Sequence, residues 1–185
     1  MSRKKALFFI EDNNFLSFEQ KEFINDTVLS PNSFPFYHQK GASTSEDDNS
    51  ILSHIVKIRP EIREEGEIFN SYTGHVFEDI LRTFCKKNNI AIKESLRIAV
   101  NFTYNNGAIS CPIHLDHEFP HKQLLIYLNE PLDKQAKTVI LDKDEKTILK
   151  EITPEQYKGV CFNDKPHYHY YPKTGERIVA VFTFK

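Results

Sequence analysis

The sequence contains no tryptophan and only three cysteines, Cys85, Cys111 and Cys161. Their number is odd and no two form a C-x-x-C pair, which speaks against a disulfide framework or a zinc knuckle and for a reducing compartment. Long apolar runs are also missing. The stretch behind the basic start, Ala6 to Ile10, is too short for a signal-peptide core and is closed by Glu11-Asp12. Nothing approaches the ~20 apolar residues of a transmembrane helix. These absences predict a cytoplasmic protein without a membrane partner. Strong charge of either sign is lacking too. A net charge of −2 provides no general attraction to nucleic acid or anionic lipid. No internal repeat is visible.

What is present suits a soluble globular chain. The 185 residues are 39% hydrophobic and 27% charged, enough for a single domain with a proper core. Fifteen phenylalanines and eight tyrosines favour β-structure. Residues 1–95 read as helical or mixed. Residues 6–10 form a short strand candidate. Ser17-Phe18-Glu19-Gln20 has the pattern of a capping box, which predicts a helix to roughly Leu29 that buries Phe23, Ile24 and Val28, stopped by Pro31 and Pro35. The small, polar stretch 39–50 reads as a connector or a mobile lid. A strand is expected over 51–58. A helix is expected over roughly 73–88, where Val76, Phe77, Ile80, Leu81, Phe84 and Cys85 make one apolar face against a sheet.

From residue 96 the hydrophobic period changes to two. Leu96, Ile98, Val100, Phe102 and Tyr104 alternate with Arg97, Ala99, Asn101 and Thr103, and Asn105-Asn106-Gly107 supplies a turn. Further strand candidates are 109–116, 123–129, 138–142, 147–152, 159–163, 167–171 and 177–184. Helices followed by many short strands predict an α+β fold, a double-sheet jelly-roll core over 96–185 buttressed by N-terminal helices.

Two separated metal-ligand signals stand out in this half. In an extended segment, His114 and Asp116 point to one side and can meet one ion. A later strand offers His167 or His169, which share a face. Two histidines and a carboxylate can hold non-haem Fe(II) on one side and leave the other open. Arg177, ten residues after His167, has the fork that grips a carboxylate. His117 has the opposite parity to the pair and faces away. His121, in a loop after Pro120, reads as an exposed polar residue rather than a ligand.

Several pieces in order resemble the prolyl-4-hydroxylase-like branch of the 2-oxoglutarate- and Fe(II)-dependent dioxygenases, in particular its short phage and bacterial members. They are Tyr104-Asn105-Asn106-Gly107, the HxD of His114-Leu115-Asp116, and the "hhhYLN" strand Leu124 to Asn129. Ile152-Thr153-Pro154, Gly159 to Phe162, and the closing His167, Pro172, Gly175, Arg177 and Phe184 follow. The resemblance covers roughly residues 96–185. It implies a double-stranded β-helix with His114, Asp116 and His167 as iron ligands, because the distal histidine of the family usually lies about ten residues before the basic residue. It also implies Arg177 and Tyr127 as holders of the distal carboxylate of 2-oxoglutarate, with Tyr104 as a further donor. One departure is plain: the glycines that usually follow the YLN strand are replaced by Asp133 to Thr138.

The activity implied is hydroxylation of an unactivated C–H at the expense of molecular oxygen and 2-oxoglutarate, with a peptidyl proline or a small molecule as substrate. Two other classes compete. A zinc hydrolase can use the same His/Asp ligands, but it leaves Arg177 without a task. A non-catalytic jelly-roll binding module predicts a missing ligand, whereas all three are present.

Overall fold

The computed structural model describes residues 7–41, 49–64 and 69–185. Most of the predicted 39–50 connector, and with it the lid reading, lies outside the described residues. Strand β1 is Phe9–Asp12, later than the 6–10 candidate. Helix α1, Phe18–Phe23, starts at the expected capping box. Ser17 Oγ accepts the Gln20 N–H at 3.2 Å, and Gln20 Oε1 accepts the Ser17 N–H at 3.1 Å. The helix then widens into a π-helical turn, Ile24–Val28, closed by the Leu29 N–H on the Ile24 carbonyl at 2.9 Å. Ile24 and Val28 are buried as expected, while Phe23 is half-buried.

Nine further strands and a second helix follow among the described residues. They are β2 Tyr37–Gln39, β3 Ile51–Lys57, α2 Gly74–Lys87, β4 Ser95–Tyr104, β5 Lys122–Tyr127, β6 Thr138–Leu141, β7 Ile148–Ile152, β8 Gly159–Asn163, β9 His167–His169 and β10 Glu176–Phe184. All pairings are antiparallel. The seven-stranded sheet runs β1-β8-β5-β10-β4-β3-β2, and the three-stranded sheet runs β7-β6-β9. This is the double-sheet core the alternating pattern predicts.

Parity divides the large sheet. Ile98 and Val100 of β4, Leu124 and Ile126 of β5, Cys161 of β8, and Ile178, Ala180, Phe182 and Phe184 of β10 face one core with Phe77, Ile80, Leu81, Phe84 and Cys85 of α2. Here Gly159 is required by space, since a Cβ would lie 2.6 Å from Phe84 and 2.7 Å from Phe15. Leu125, Tyr127, Val160, Phe162, Val179 and Val181 face the other way and meet Ile140 and Ile152 of the small sheet. The candidate site opens beside this second, smaller core.

One predicted strand is absent. Residues 109–116 make only isolated bridges, Ser110 to Tyr170 and His114 to His167. Pro112 explains this: it has no N–H for a ladder, and its carbonyl is taken by the His114 ring. The strand expected over 167–171 also ends early, at His169. The Asn105-Asn106-Gly107 turn forms with Gly107 at φ 87° and the two asparagine side chains accepting the Gly107 and Ala108 N–H groups. After the YLN strand, Asp133 stands in for the missing glycines. Its carboxylate accepts the Gln135 N–H at 2.8 Å and the Lys173 N–H at 2.8 Å. Among the described residues no helix is long and apolar enough to cross a membrane.

Candidate metal centre

His114, Asp116 and His167 converge although they come from an irregular segment and a distant strand. One ligand atom from each lies within 4.8 Å of the others. The bridge of His114 to His167 does this: their backbones exchange N–H···O bonds of 3.0 and 3.1 Å. His114 and Asp116 thus share a side as the spacing predicts, without belonging to a strand.

The hydrogen bonds decide which nitrogens are available. His114 Nδ1 lies 2.9 Å from the Pro112 carbonyl, and His167 Nδ1 lies 3.0 Å from the Lys165 carbonyl. A carbonyl only accepts, so each Nδ1 carries a proton, and Nε2 is the nitrogen by which each ring could ligate a metal. The Gln123 amide donates to His167 Nε2 at 3.2 Å, on the lone pair that a metal would take. Asp116 is oriented in the same way. Arg97 Nη1 donates to its Oδ1 at 3.1 Å, while its buried Oδ2 has no hydrogen-bond partner and lies 3.7 Å from His167 Nε2.

Charge states suit a cation site. Burial favours a neutral Asp116, but His167, Arg97 and His114 outweigh it and hold the carboxyl down at about 2. Burial, then the charge on His114, pushes His167 down to about 4. Burial also works against a charged His114, but the Cys111 thiol and the Asp116 carboxylate prevail and lift it to about 9. At neutral pH two groups are ready to ligate and the third must release a proton.

The same cavity is lined further in by Leu125, Thr138, His169, Arg177 and Val179. Arg177 is 4% exposed and has no carboxylate partner among the described residues. Its Nη2 donates to Thr138 Oγ1 at 2.8 Å, and its Nε has no partner. Tyr127, 1% exposed, lies within reach of the same arginine: its hydroxyl is 2.8 Å from Thr138 Oγ1 and its ring faces the guanidinium at 5.3 Å. Tyr127 therefore stands behind Thr138 rather than lining the cavity.

Tyr104 does not join the site. It shares the parity of Val100 and Phe102, whose face packs on the helices, and its ring contacts Phe102 at 6.4 Å between centroids. His121 also departs from expectation. It is 5% exposed, with its Nδ1 on the Phe119 carbonyl at 2.9 Å and its ring against His117. His117 is not part of the triad. It bonds Glu61 at 2.5 Å and Thr183 at 2.7 Å. Sequence reasoning missed Arg97, Gln123 and Thr138. Their odd or even place in a strand was readable, but not which cavity that face would line.

No protein-family model and no curated protein sequence matches the chain. Solved structures do match. A 2OG-Fe(II) oxygenase family oxidoreductase from Burkholderia pseudomallei is similar at a TM-score of 0.73 and 13% identity, over 99% of this chain and 86% of that one. A prolyl hydroxylase from Trichoplax adhaerens, in complex with a peptide fragment of the hypoxia inducible factor oxygen degradation domain, is similar at 0.61 and 17%, over 95% and 83%. The viral collagen prolyl hydroxylase of Paramecium Bursaria Chlorella virus-1, in a 2OG complex, is similar at 0.55 and 15%, over 95% and 94%. The chain has the fold of these oxygenases.

Proposed function

We propose that the chain is an Fe(II)- and 2-oxoglutarate-dependent oxygenase that hydroxylates an unactivated C–H, with a prolyl residue of a peptide as its substrate. One observation carries this reading: a metal-ligand triad and a buried guanidinium that has no counter-ion among the described residues share a single cavity. A buried charge of this kind calls for an anion. A ligand with a metal-binding end and a distal carboxylate satisfies both halves at once.

The residues fit an iron ion. Two Nε2 lone pairs and the unpartnered Asp116 Oδ2 form a facial set of N and O donors. His114, Asp116 and His167 would hold Fe(II), which when bound supplies the redox chemistry that couples oxidative decarboxylation of 2-oxoglutarate by molecular oxygen to hydroxylation. The chain's own part is positioning. Arg97 holds Asp116 with one oxygen turned inward, and the Lys165 carbonyl holds His167 through its Nδ1. Arg177 receives the far carboxylate, with Thr138 and Tyr127 fixing the guanidinium. Val179, Val181 and Leu125 keep water from the space between. The peptide substrate rests on the prolyl hydroxylases that share the fold. At the mouth, Ile113 and Leu115, 42% and 49% exposed, flank His114 and offer apolar contact to an incoming chain. A zinc hydrolase would leave the Arg177 pocket unused.

The test is succinate formation from 2-oxoglutarate with Fe(II) and a library of proline-containing peptides, for wild type, His167→Ala and His169→Ala. Turnover in wild type and its loss in His167→Ala is expected. Retained turnover in His167→Ala, or none in wild type across the library, contradicts the reading.

A further inference from the structure

His169 shares its face with His167 but is not one of the triad. It is the residue directly opposite Thr138 in the β6–β9 ladder, so the two side chains stand on one face about 5 Å apart at Cβ. Thr138 is the residue that Arg177 grips. Within this pocket, two buried nitrogens lack partners: Arg177 Nε and His169 Nε2. Both side chains line the cavity. His169 also lies one two-residue step along β9 from His167, about 7 Å from the metal end, the span of a short dicarboxylate.

Cys111 sets the character of that free nitrogen. Its backbone N–H donates to the His169 carbonyl at 3.0 Å, and its sulfur accepts the His169 N–H at 3.3 Å. The sulfur also lies 3.1 Å from His169 Nδ1. When the thiol gives its S–H to Nδ1, the ring proton sits on Nε2, facing the cavity.

We propose that His169 is a second donor to the distal carboxylate of 2-oxoglutarate, beside Arg177, with Cys111 as the positioning residue that fixes its donating tautomer. This rests on the cosubstrate reading above. It gives His169 a task distinct from metal ligation, and it makes the pocket depend on a side chain outside the arginine strand.

The experiment is calorimetric titration of 2-oxoglutarate, without oxygen, into full-length protein loaded with Mn(II), which takes the same N/O ligands. His169→Phe should weaken 2-oxoglutarate binding by about 10- to 100-fold, the effect of losing a hydrogen bond to a charged group. His169→Gln, whose amide N–H can donate, should recover most of that loss. Cys111→Ala should weaken binding a few-fold. Mn(II) affinity, measured separately, should be unchanged in the two His169 variants. Cosubstrate affinity in His169→Phe within about twofold of wild type overturns the proposal, as does a parallel loss of Mn(II) affinity. If Mn(II)-loaded wild type binds no 2-oxoglutarate, the cosubstrate reading itself falls and takes this inference with it; wild-type binding with an unaffected His169→Phe sinks the inference alone.

Discussion

The two faces of the large sheet are built from the same strands and differ in nearly everything else. On the helix side, β10 contributes Ile178, Ala180, Phe182 and Phe184 to a dry core shared with α2. On the other side, the same strand contributes Arg177, Val179, Val181 and Thr183, and its neighbours add Arg97, Asn101 and Gln123. One face is closed by apolar packing. The other keeps Asp116 Oδ2, His169 Nε2 and Arg177 Nε buried without hydrogen bonds. Unsatisfied groups of that kind cost stability in an empty protein. Stability is thus drawn mainly from the helix face, with a smaller share from the second core, and recognition from the polar groups of the site face, so substitutions of Phe84 and of the site residues should separate.

His167→Ala should have the largest effect on the polar face. It removes one of three ligands and should abolish measurable Fe(II) or Mn(II) binding while leaving the far-UV spectrum unchanged; calorimetry and circular dichroism check both. On the dry face, Phe84→Ala should cost about 3–5 kcal/mol in denaturant unfolding. Gly159→Ala, which must push aside Phe84 and Phe15, should cost about 1–3 kcal/mol. Neither should change metal affinity of the folded fraction. If either abolishes it, the faces are not independent.

Arg97→Ala tests the boundary. It leaves the triad intact but frees Asp116 to rotate, and should weaken metal binding about 10- to 100-fold. The acidity of the metal end can be read by titration. His114, raised to about 9, carries a proton that the metal must displace, so affinity should rise about tenfold per pH unit from neutrality toward 9. The metal-free protein should show the opposite trend at this residue. A raised folded pKa contributes stability that is full below 6.5 and is lost as pH rises through about 9. Tyr104→Phe should do least, within ~0.5 kcal/mol in stability and without effect on cosubstrate binding.

That last expectation shows what was legible in the chain. The helix-facing row of β4 follows from period two, β5 and β10 fall on strand candidates 123–129 and 177–184, and Tyr104 falls in the same row as Leu96, Ile98, Val100 and Phe102. Its parity already placed it against the helices; only the family resemblance drew it to the site. The Ser17 capping box was equally readable because both of its bonds are local. Segment 109–116 was not, since alternation there competes with Pro112, which denies the ladder a donor. His121 was hidden for another reason. A ring satisfied by a carbonyl two residues earlier can be buried at little cost, and no spacing rule reports it. The Arg97–Asp116 pair joins residues 19 apart in sequence whose meeting depends on the path of the whole intervening loop.

The central claim is that the triad and Arg177 are two ends of one binding site. Calorimetric titration of 2-oxoglutarate into the anaerobic protein, with and without Mn(II), for wild type and Arg177→Ala, tests it most directly. Tight binding only to metal-loaded wild type, with severe loss in Arg177→Ala, is the predicted result. Binding that is indifferent to the metal, or undiminished in Arg177→Ala, would contradict it.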